Sequence, residues 1–133
     1  MASDLKHIVC IDDDPDILVI AQMCLEDIGG YQVTCFGSAR DGIAQTPEIH
    51  PDLIMLDVMM PGMDGPAALK ALRDNPALDD VPIVFMSARV QSSEVQDYYQ
   101  LGVNGVIPKP FSPDALSSQV RVIWSGFMKE RGA

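Results

Sequence analysis

The most informative segment of the sequence is residues 51–65, Pro-Asp-Leu-Ile-Met-Leu-Asp-Val-Met-Met-Pro-Gly-Met-Asp-Gly. The first half holds an unbroken apolar run, Leu53 to Leu56, that ends on the acid Asp57. Strands that are apolar at successive positions are typical of a parallel sheet covered on both faces. The second half is rich in methionine, proline and glycine, which indicates a loop. We therefore predict a buried strand that carries Asp57 at its carboxyl end.

Four other segments have the composition of short strands, and amphipathic segments lie between them. The predicted strands cover 7–11, 31–36, 81–86 and 105–108. Apolar residues with the three- and four-residue spacing of one helix face follow four of the five strands. They are Ile17, Ile20, Ala21, Cys24, Leu25 and Ile28, then Ala68, Leu69 and Leu72, then Val95, Tyr98 and Tyr99, and last Leu116, Val120, Ile123, Trp124 and Phe127. Ser38 is the predicted N-cap of a further short helix that ends before Pro47.

Five strand and helix pairs in alternation predict an α/β fold, a doubly wound open sheet of five parallel strands. The 133 residues fit a single domain by size, with its core over about residues 6–127. Only a few residues follow Phe127, so we expect no output domain in this chain.

The acidic composition argues against two classes of partner. The net charge is −10 at pH 7, from 19 acidic and 9 basic residues, which disfavours direct binding to nucleic acid or to anionic membrane surfaces. The apolar runs fall short of the roughly 20 residues that span a bilayer, so we expect no membrane insertion, and we see no secretory signal. The three cysteines lie in apolar patterns without metal-ligand spacing, so we expect reduced core thiols in a cytoplasmic protein.

Polar side chains follow the predicted strands at their carboxyl ends. They are Asp12 and Asp13 after the first strand, Asp57 after the third, Ser87 after the fourth and Lys109 after the fifth. In an open parallel sheet, ligands bind at this edge, near the point where the strand order reverses. We therefore expect these five side chains to form one site. A lone acid after a strand is usually only a helix cap, which is how we interpret Asp14.

The residue types at this edge indicate phosphoryl chemistry. Three carboxylates stay ionised together only beside a cation, and oxygen ligands without histidine or cysteine favour Mg²⁺, with Mn²⁺ as a substitute. Lys109 and the cation would share the negative charge of a phosphoryl group, and the Ser87 hydroxyl would bind one of its oxygens. A carboxylate oxygen could then attack phosphorus to give an acyl phosphate.

Four motifs, present together and in order, resemble the receiver domain of two-component response regulators. They are Ile11-Asp12-Asp13-Asp14-Pro15-Asp16-Ile17-Leu18, the segment 51–65, the pair Ser87-Ala88, and Gly102 through Lys109-Pro110-Phe111. The resemblance covers nearly the whole chain, and it implies the flavodoxin-like strand order 2-1-3-4-5.

The resemblance also implies a role for each acid of the edge. Asp57 would accept a phosphoryl group from a sensor histidine kinase or a histidine phosphotransfer protein. Asp13 and Asp57 would bind Mg²⁺ through their side chains. Met59 would bind it through its backbone carbonyl, and Asp12 chiefly through water.

The remaining site residues would act on the phosphoryl group itself. Ser87 and Lys109 would contact its oxygens, and the resemblance implies a cis Lys109-Pro110 peptide. Met59 and Arg89 lie two positions past Asp57 and Ser87, where their side chains could slow loss of phosphate by covering the phosphoryl group. The alternative is that Met59 contributes only its carbonyl and that Arg89 pairs with an acid at the rim.

One position departs from the family pattern. The residue three before Lys109, an aromatic in receivers that switch by turning a ring inward, is Val106 here. Valine has one stiff χ1 angle and no ring to relocate. Our hypothesis is that Ser87 and the loop after it move instead, with Tyr98 or Tyr99 changing its contacts. The alternative is that both tyrosines are ordinary helix-face residues.

Several functions are compatible with these residues. The leading hypothesis is a single-domain response regulator, which shuttles a phosphoryl group in a phosphorelay or binds a downstream protein target when Asp57 is phosphorylated. One alternative is a receiver that docks constitutively, and another is an excised receiver of a larger transcription or second-messenger regulator. A phosphatase with an aspartate nucleophile generally needs a lid, and no insertion is long enough to build one. We therefore expect a signalling domain that catalyses only its own phosphorylation and slow dephosphorylation.

Overall fold

The computed structural model describes residues 4–131 as five parallel strands covered by helices. The strands are β1 (His7–Ile11), β2 (Gln32–Phe36), β3 (Leu53–Asp57), β4 (Ile83–Ser87) and β5 (Gly105–Pro108). The helices are α1 (Pro15–Met23), α2 (Ala39–Ile49), α3 (Gly65–Arg73), α4 (Ser92–Gln100) and α5 (Pro113–Glu130). A π-helical turn, Cys24–Ile28, extends α1, and a 3₁₀ turn, Pro76–Leu78, precedes β4.

The sheet has the order β2-β1-β3-β4-β5, and every neighbouring pair of strands is parallel. This confirms the predicted doubly wound fold. Because β1 lies between β2 and β3, the direction of winding reverses between β1 and β3. Their carboxyl ends therefore flank the crevice in which such sheets bind ligands.

Two apolar layers enclose the sheet. Residues of α1 and α5 pack on one face against alternate residues of the strands, such as Ile8 and Met55. Residues of α2, α3 and α4 pack on the other face against the intervening residues, such as Ile54 and Phe85. Both faces are covered, so every residue of β3 and β4 is buried, as the unbroken apolar runs predict.

The predicted core face of α1 is partly wrong. Ala21, Cys24 and Leu25 are buried, but Ile20 is 39% exposed and Ile28 is 54% exposed. Ile20 lies on the flank of the apolar stripe. In the π-helical turn the Gly29 amide donates to the Cys24 carbonyl at 3.3 Å, five residues back, and this wider turn carries Ile28 off the α-helical face.

The prediction that the second helix ends before Pro47 is also wrong. Ser38 caps α2 as predicted, since its side chain accepts a hydrogen bond from the Asp41 amide at 3.2 Å. However, α2 continues to Ile49, because a proline in the last turn removes a single intrahelical hydrogen bond. The helix ends at His50, which has a left-handed φ of 54°.

Two strand ends differ slightly from the sequence-based limits. β2 begins at Gln32, one residue after the predicted start, and β4 runs from Ile83 to Ser87. Asp57 and Ser87 are therefore the last residues of their strands rather than the first residues of loops. Among residues 4–131, no helix is both long enough and apolar enough to cross a membrane.

Candidate functional site

Three acids from two neighbouring strands meet at the carboxyl edge of the sheet. Carboxylate oxygens of Asp12, Asp13 and Asp57 all lie within 4.8 Å of one another. Asp12 is fully buried and Asp57 is only 5% exposed, whereas Asp13 faces solvent. The sheet therefore brings together the three carboxylates that the sequence singled out, at the point where its winding reverses.

Lys109 joins these acids from the far edge of the sheet. Its Nζ lies 2.6 Å from Asp12 Oδ2 and 3.0 Å from Asp57 Oδ1. The Lys109 amide donates to the Ser87 carbonyl at 2.8 Å, and the Lys109-Pro110 peptide is cis, as the resemblance implied. One ammonium group thus contacts the two buried carboxylates of the cluster.

Burial and charge change the acidity of this pair. Burial raises the pKa of Asp57 to about 6, and the nearby charge of Asp12 adds to this, while the hydrogen bond from Lys109 opposes it. Burial also disfavours the charged form of Lys109. The hydrogen bonds and negative charges of Asp12 and Asp57 outweigh that cost and raise the pKa of Lys109. Lys109 is therefore cationic at neutral pH, and Asp57 is a carboxylate with raised basicity.

Local backbone contacts orient the two buried acids. Asp12 Oδ1 accepts a hydrogen bond from the Asp14 amide at 2.9 Å, and Asp57 Oδ1 accepts one from the Met59 amide at 3.3 Å. Asp14 itself caps α1, because its carboxylate accepts from the Asp16 amide at 2.9 Å. This contact agrees with the helix-cap interpretation of Asp14.

Gly65 is a positioning residue to which the sequence reasoning assigned no role. Its amide donates to the Val58 carbonyl at 2.6 Å, and a Cβ added at Gly65 would lie 2.7 Å from Val58 Cα. Only glycine permits this approach of α3 to the residue after Asp57. The signal was the Asp64-Gly65 pair at the end of the quoted segment, but a close backbone contact cannot be read from sequence.

The acidic cluster fits a metal ion. Its donors are three carboxylates that converge within the reach of one hard divalent cation. Asp12 Oδ2 is a buried oxygen whose partner within the described part of the chain is the ammonium group of Lys109, 2.6 Å away. These oxygens could ligate a cation directly or through water.

Ser87 lies at the same edge, but its hydroxyl is bonded towards α4. Ser87 Oγ accepts a hydrogen bond from the Arg89 amide at 2.9 Å, and its single proton can be donated to the Arg89 carbonyl oxygen at 3.2 Å. It also lies 3.1 Å from the Tyr98 hydroxyl oxygen. Of the two tyrosines in the switch hypothesis, Tyr98 is therefore the one that contacts Ser87, and Tyr99 is half exposed.

Met59 and Arg89 both have exposed side chains, and they line a cavity of about 330 Å³ between the start of α3 and α4. The cavity is also lined by Val58 and Tyr98. Shielding of a phosphoryl group by these side chains remains a prediction.

Together, the sheet order and the grouping of three acids with a lysine define a receiver of the two-component type. The sequence matches the family described as response regulator receiver domain over residues 8–121. The chain belongs to this family.

Curated relatives extend beyond the region that this chain matches. Response regulator Rre1 of Synechocystis sp. is 32% identical over 114 residues, which cover 86% of this chain and 49% of the relative. Sensor protein GacS of Pseudomonas syringae pv. syringae is 34% identical over 129 residues, or 95% of this chain and 14% of the relative. This chain therefore spans about half the length of relatives such as Rre1, and a smaller share of GacS.

One solved structure matches most of this chain. Chemotaxis protein CheY4 of Vibrio cholerae superimposes with a TM-score of 0.83 at 26% identity, covering 90% of this chain and 99% of that one.

Proposed function

We propose that this receiver domain accepts a phosphoryl group on Asp57 and thereby changes its binding to a downstream protein. The observation that carries this proposal is the position of Lys109 Nζ, 2.6 Å from Asp12 and 3.0 Å from Asp57. A nearly buried carboxylate beside a fixed cation suits attack on an electron-poor phosphorus.

The transfer uses Asp57 and Lys109 at this edge of the sheet and a phosphohistidine of the donor protein. An oxygen of Asp57 attacks the phosphorus of a phosphohistidine on the donor protein. The P–N bond breaks as the new P–O bond forms, and the released imidazole nitrogen keeps the electron pair and takes a proton from solvent. Lys109 stabilises the charge on the phosphoryl oxygens, and the raised basicity of Asp57 favours its attack while it remains largely ionised at neutral pH.

For the metal, we propose Mg²⁺, with Mn²⁺ as a substitute. Asp13 and Asp57 would hold it by their carboxylates, Met59 by its backbone carbonyl and Asp12 chiefly through water. The all-oxygen donor set supports this choice. When bound, the ion would neutralise negative charge on the phosphoryl oxygens.

The proposed phosphoryl donor is a sensor histidine kinase or a histidine phosphotransfer protein. The relatives of this chain include a response regulator and a sensor protein, which supports both the proposed donor and a downstream protein target. The net charge of −10 supports partners other than nucleic acid or membrane surfaces. The free thiols of Cys10, Cys24 and Cys35 support a cytoplasmic location.

We propose that the domain works as a single receiver unit that catalyses only its own phosphorylation and slow dephosphorylation. The match to CheY4, which covers 99% of that chain, supports this organisation. The 49% coverage of Rre1 favours a second candidate, the receiver of a longer regulator. In both cases the chemistry at Asp57 is the same.

Incubation with Mg²⁺ and radiolabelled acetyl phosphate tests the function. We expect stoichiometric label on the wild type, lost slowly, and none on Asp57→Asn. Asp64→Asn is the matched control, because it removes a carboxylate from the same loop and asparagine can still cap α3. Repeated turnover would identify a phosphatase instead, and failure to take up label would identify a constitutive docking domain.

A further inference from the structure

The Ser87 hydroxyl, which we expect to bind a phosphoryl oxygen, is hydrogen-bonded to other groups in the structure. Ser87 Oγ lies 2.9 Å from the Arg89 amide, 3.2 Å from the Arg89 carbonyl and 3.1 Å from the Tyr98 hydroxyl. A serine hydroxyl has one proton to donate and two lone pairs to accept with. The Arg89 carbonyl and the Tyr98 hydroxyl share that single proton, and a phosphoryl oxygen would need the same proton, so Ser87 must break its contact with them to bind a phosphoryl group on Asp57.

Tyr98 is fixed in position by packing as well as by hydrogen bonds. It belongs to α4, is 9% exposed, and packs its ring edge-on against Phe85 with the centroids 5.4 Å apart. Its hydroxyl also donates to the Arg89 carbonyl at 3.1 Å. Phe85 precedes Ser87 by two residues on β4, so Tyr98 ties α4 to the strand and to the loop after it.

The neighbouring strand supplies no competing group. Val106 is the β5 residue paired with Phe85 in the sheet register, and its side chain cannot form a hydrogen bond. Tyr99, the next residue of α4, is 50% exposed. Among the described residues, Tyr98 therefore provides the side-chain hydroxyl that contacts Ser87.

We propose that Tyr98 is a positioning residue that holds the Ser87 hydroxyl towards α4 and releases it when Asp57 is phosphorylated. The inference rests on the proposed function. On release, Tyr98 and the Arg89 carbonyl lose a shared partner, which loosens the attachment of α4 to β4. The structural effect of phosphorylation thereby reaches α4 through a tyrosine of that helix, and no aromatic ring on β5 is required.

The segment from Arg89 to Tyr98 borders a surface cavity that a target protein could bind. Arg89, Glu94 and Tyr98 line the cavity of about 330 Å³ whose opposite wall includes Met59 and Pro66. The wall with Met59 and Pro66 belongs to the segment after Asp57, and the other wall belongs to the segment after Ser87. Movement of α4 changes this cavity and the charges at its rim.

The test is the affinity for beryllofluoride, a phosphoryl mimic, in the presence of Mg²⁺, followed by ¹⁹F NMR. Tyr98→Phe removes one oxygen and keeps the ring against Phe85, so Ser87 no longer breaks a bond to Tyr98 on binding. We expect about fivefold tighter binding, the ratio for one net hydrogen bond of ~1 kcal/mol. Tyr99→Phe, on the exposed neighbour, should bind as the wild type does.

A double-mutant cycle separates positioning from a general effect on the fold. In the Ser87→Ala background, Tyr98→Phe should change the beryllofluoride affinity by less than about twofold, because the group that it positions is absent. Hydrogen exchange gives a second readout. Beryllofluoride should accelerate exchange of α4 amides in the wild type, and in Tyr98→Phe these amides should exchange fast before it is added.

Each outcome has a defined meaning when acetyl phosphate labelling is run on the same proteins. Unchanged or weaker binding of beryllofluoride by a labelled Tyr98→Phe protein overturns the inference alone. An equal gain in both serine backgrounds also overturns it, since Tyr98 would then act independently of Ser87. A wild-type protein that takes no label overturns the proposed function, and the inference with it.

Discussion

Replacing Asp57 with asparagine should stabilise the domain at neutral pH by removing a charge that is costly to bury. Burial is the main reason that the pKa of Asp57 rises from 3.8 to about 6. The folded domain therefore binds a proton on Asp57 between about pH 4 and pH 6, where the unfolded chain has lost it. Stability from this group is present below pH 4 and is lost as the pH rises through 6.

The size of the effect follows from the shift. Two pKa units correspond to about 3 kcal/mol of unfolding free energy. Solvent at this edge of the sheet screens part of this, so we expect a gain of about 1–2 kcal/mol for Asp57→Asn above pH 6. Near pH 4 the neutral carboxyl and the amide differ little, and the gain should approach zero.

Urea unfolding with EDTA at half-unit steps from pH 4 to pH 8 measures this difference. Asp14→Asn is the control, because it removes an exposed carboxylate from the same edge and asparagine caps α1 equally well. Its stability should follow that of the wild type. A gain that does not vary with pH, or an Asp57→Asn protein less stable than the wild type above pH 6, would show that the buried charge of Asp57 does not destabilise the domain.

Three further substitutions test separate parts of the structure. Gly65→Ala should destabilise the domain by about 1–3 kcal/mol in thermal unfolding, because the added Cβ would clash with backbone atoms of Val58. The control Gly126→Ala places its Cβ in open space on α5 and should stabilise the domain by up to about 1 kcal/mol. Equal effects of the two substitutions would contradict the close contact at Gly65. Arg73→Met removes three hydrogen bonds of a half-buried guanidinium and should lower the free energy of unfolding in urea by about 2–4 kcal/mol. The control Lys70→Met, at an exposed position of the same helix, should change it by less than about 0.5 kcal/mol. A small loss for Arg73→Met would show that water replaces these hydrogen bonds. Lys109→Gln should slow acetyl phosphate labelling by about 100-fold, and a rate near that of the wild type would remove Lys109 from the proposed site.

The sheet could be predicted from the sequence, whereas the ends of the helices could not. Unbroken apolar runs such as 53–56 and 83–86 specify strands buried on both faces, which few architectures allow. The π-helical turn at Cys24–Ile28 and the continuation of α2 past Pro47 depend on how the helix ends pack and cap. Residue spacing carries no such information.

The same division applies to the site. Asp12, Asp13, Asp57 and Lys109 could be placed together because parallel strands deliver their last residues to one edge. The direction of the Ser87 hydroxyl could not be predicted, because it depends on the rotation of α4 about its axis. Tyr98 and Tyr99 are adjacent in sequence, and only the packed helix shows which one faces β4.

The residue that carries the phosphoryl group can be identified by chemical trapping. The protein is phosphorylated with acetyl phosphate and Mg²⁺ and reduced with borohydride, which converts an aspartyl phosphate to homoserine, and its peptides are sequenced by mass spectrometry. We expect homoserine at position 57 and no reduction product in Asp57→Asn. Homoserine at position 12 or 13, or phosphate retained on a serine, would contradict phosphorylation of Asp57.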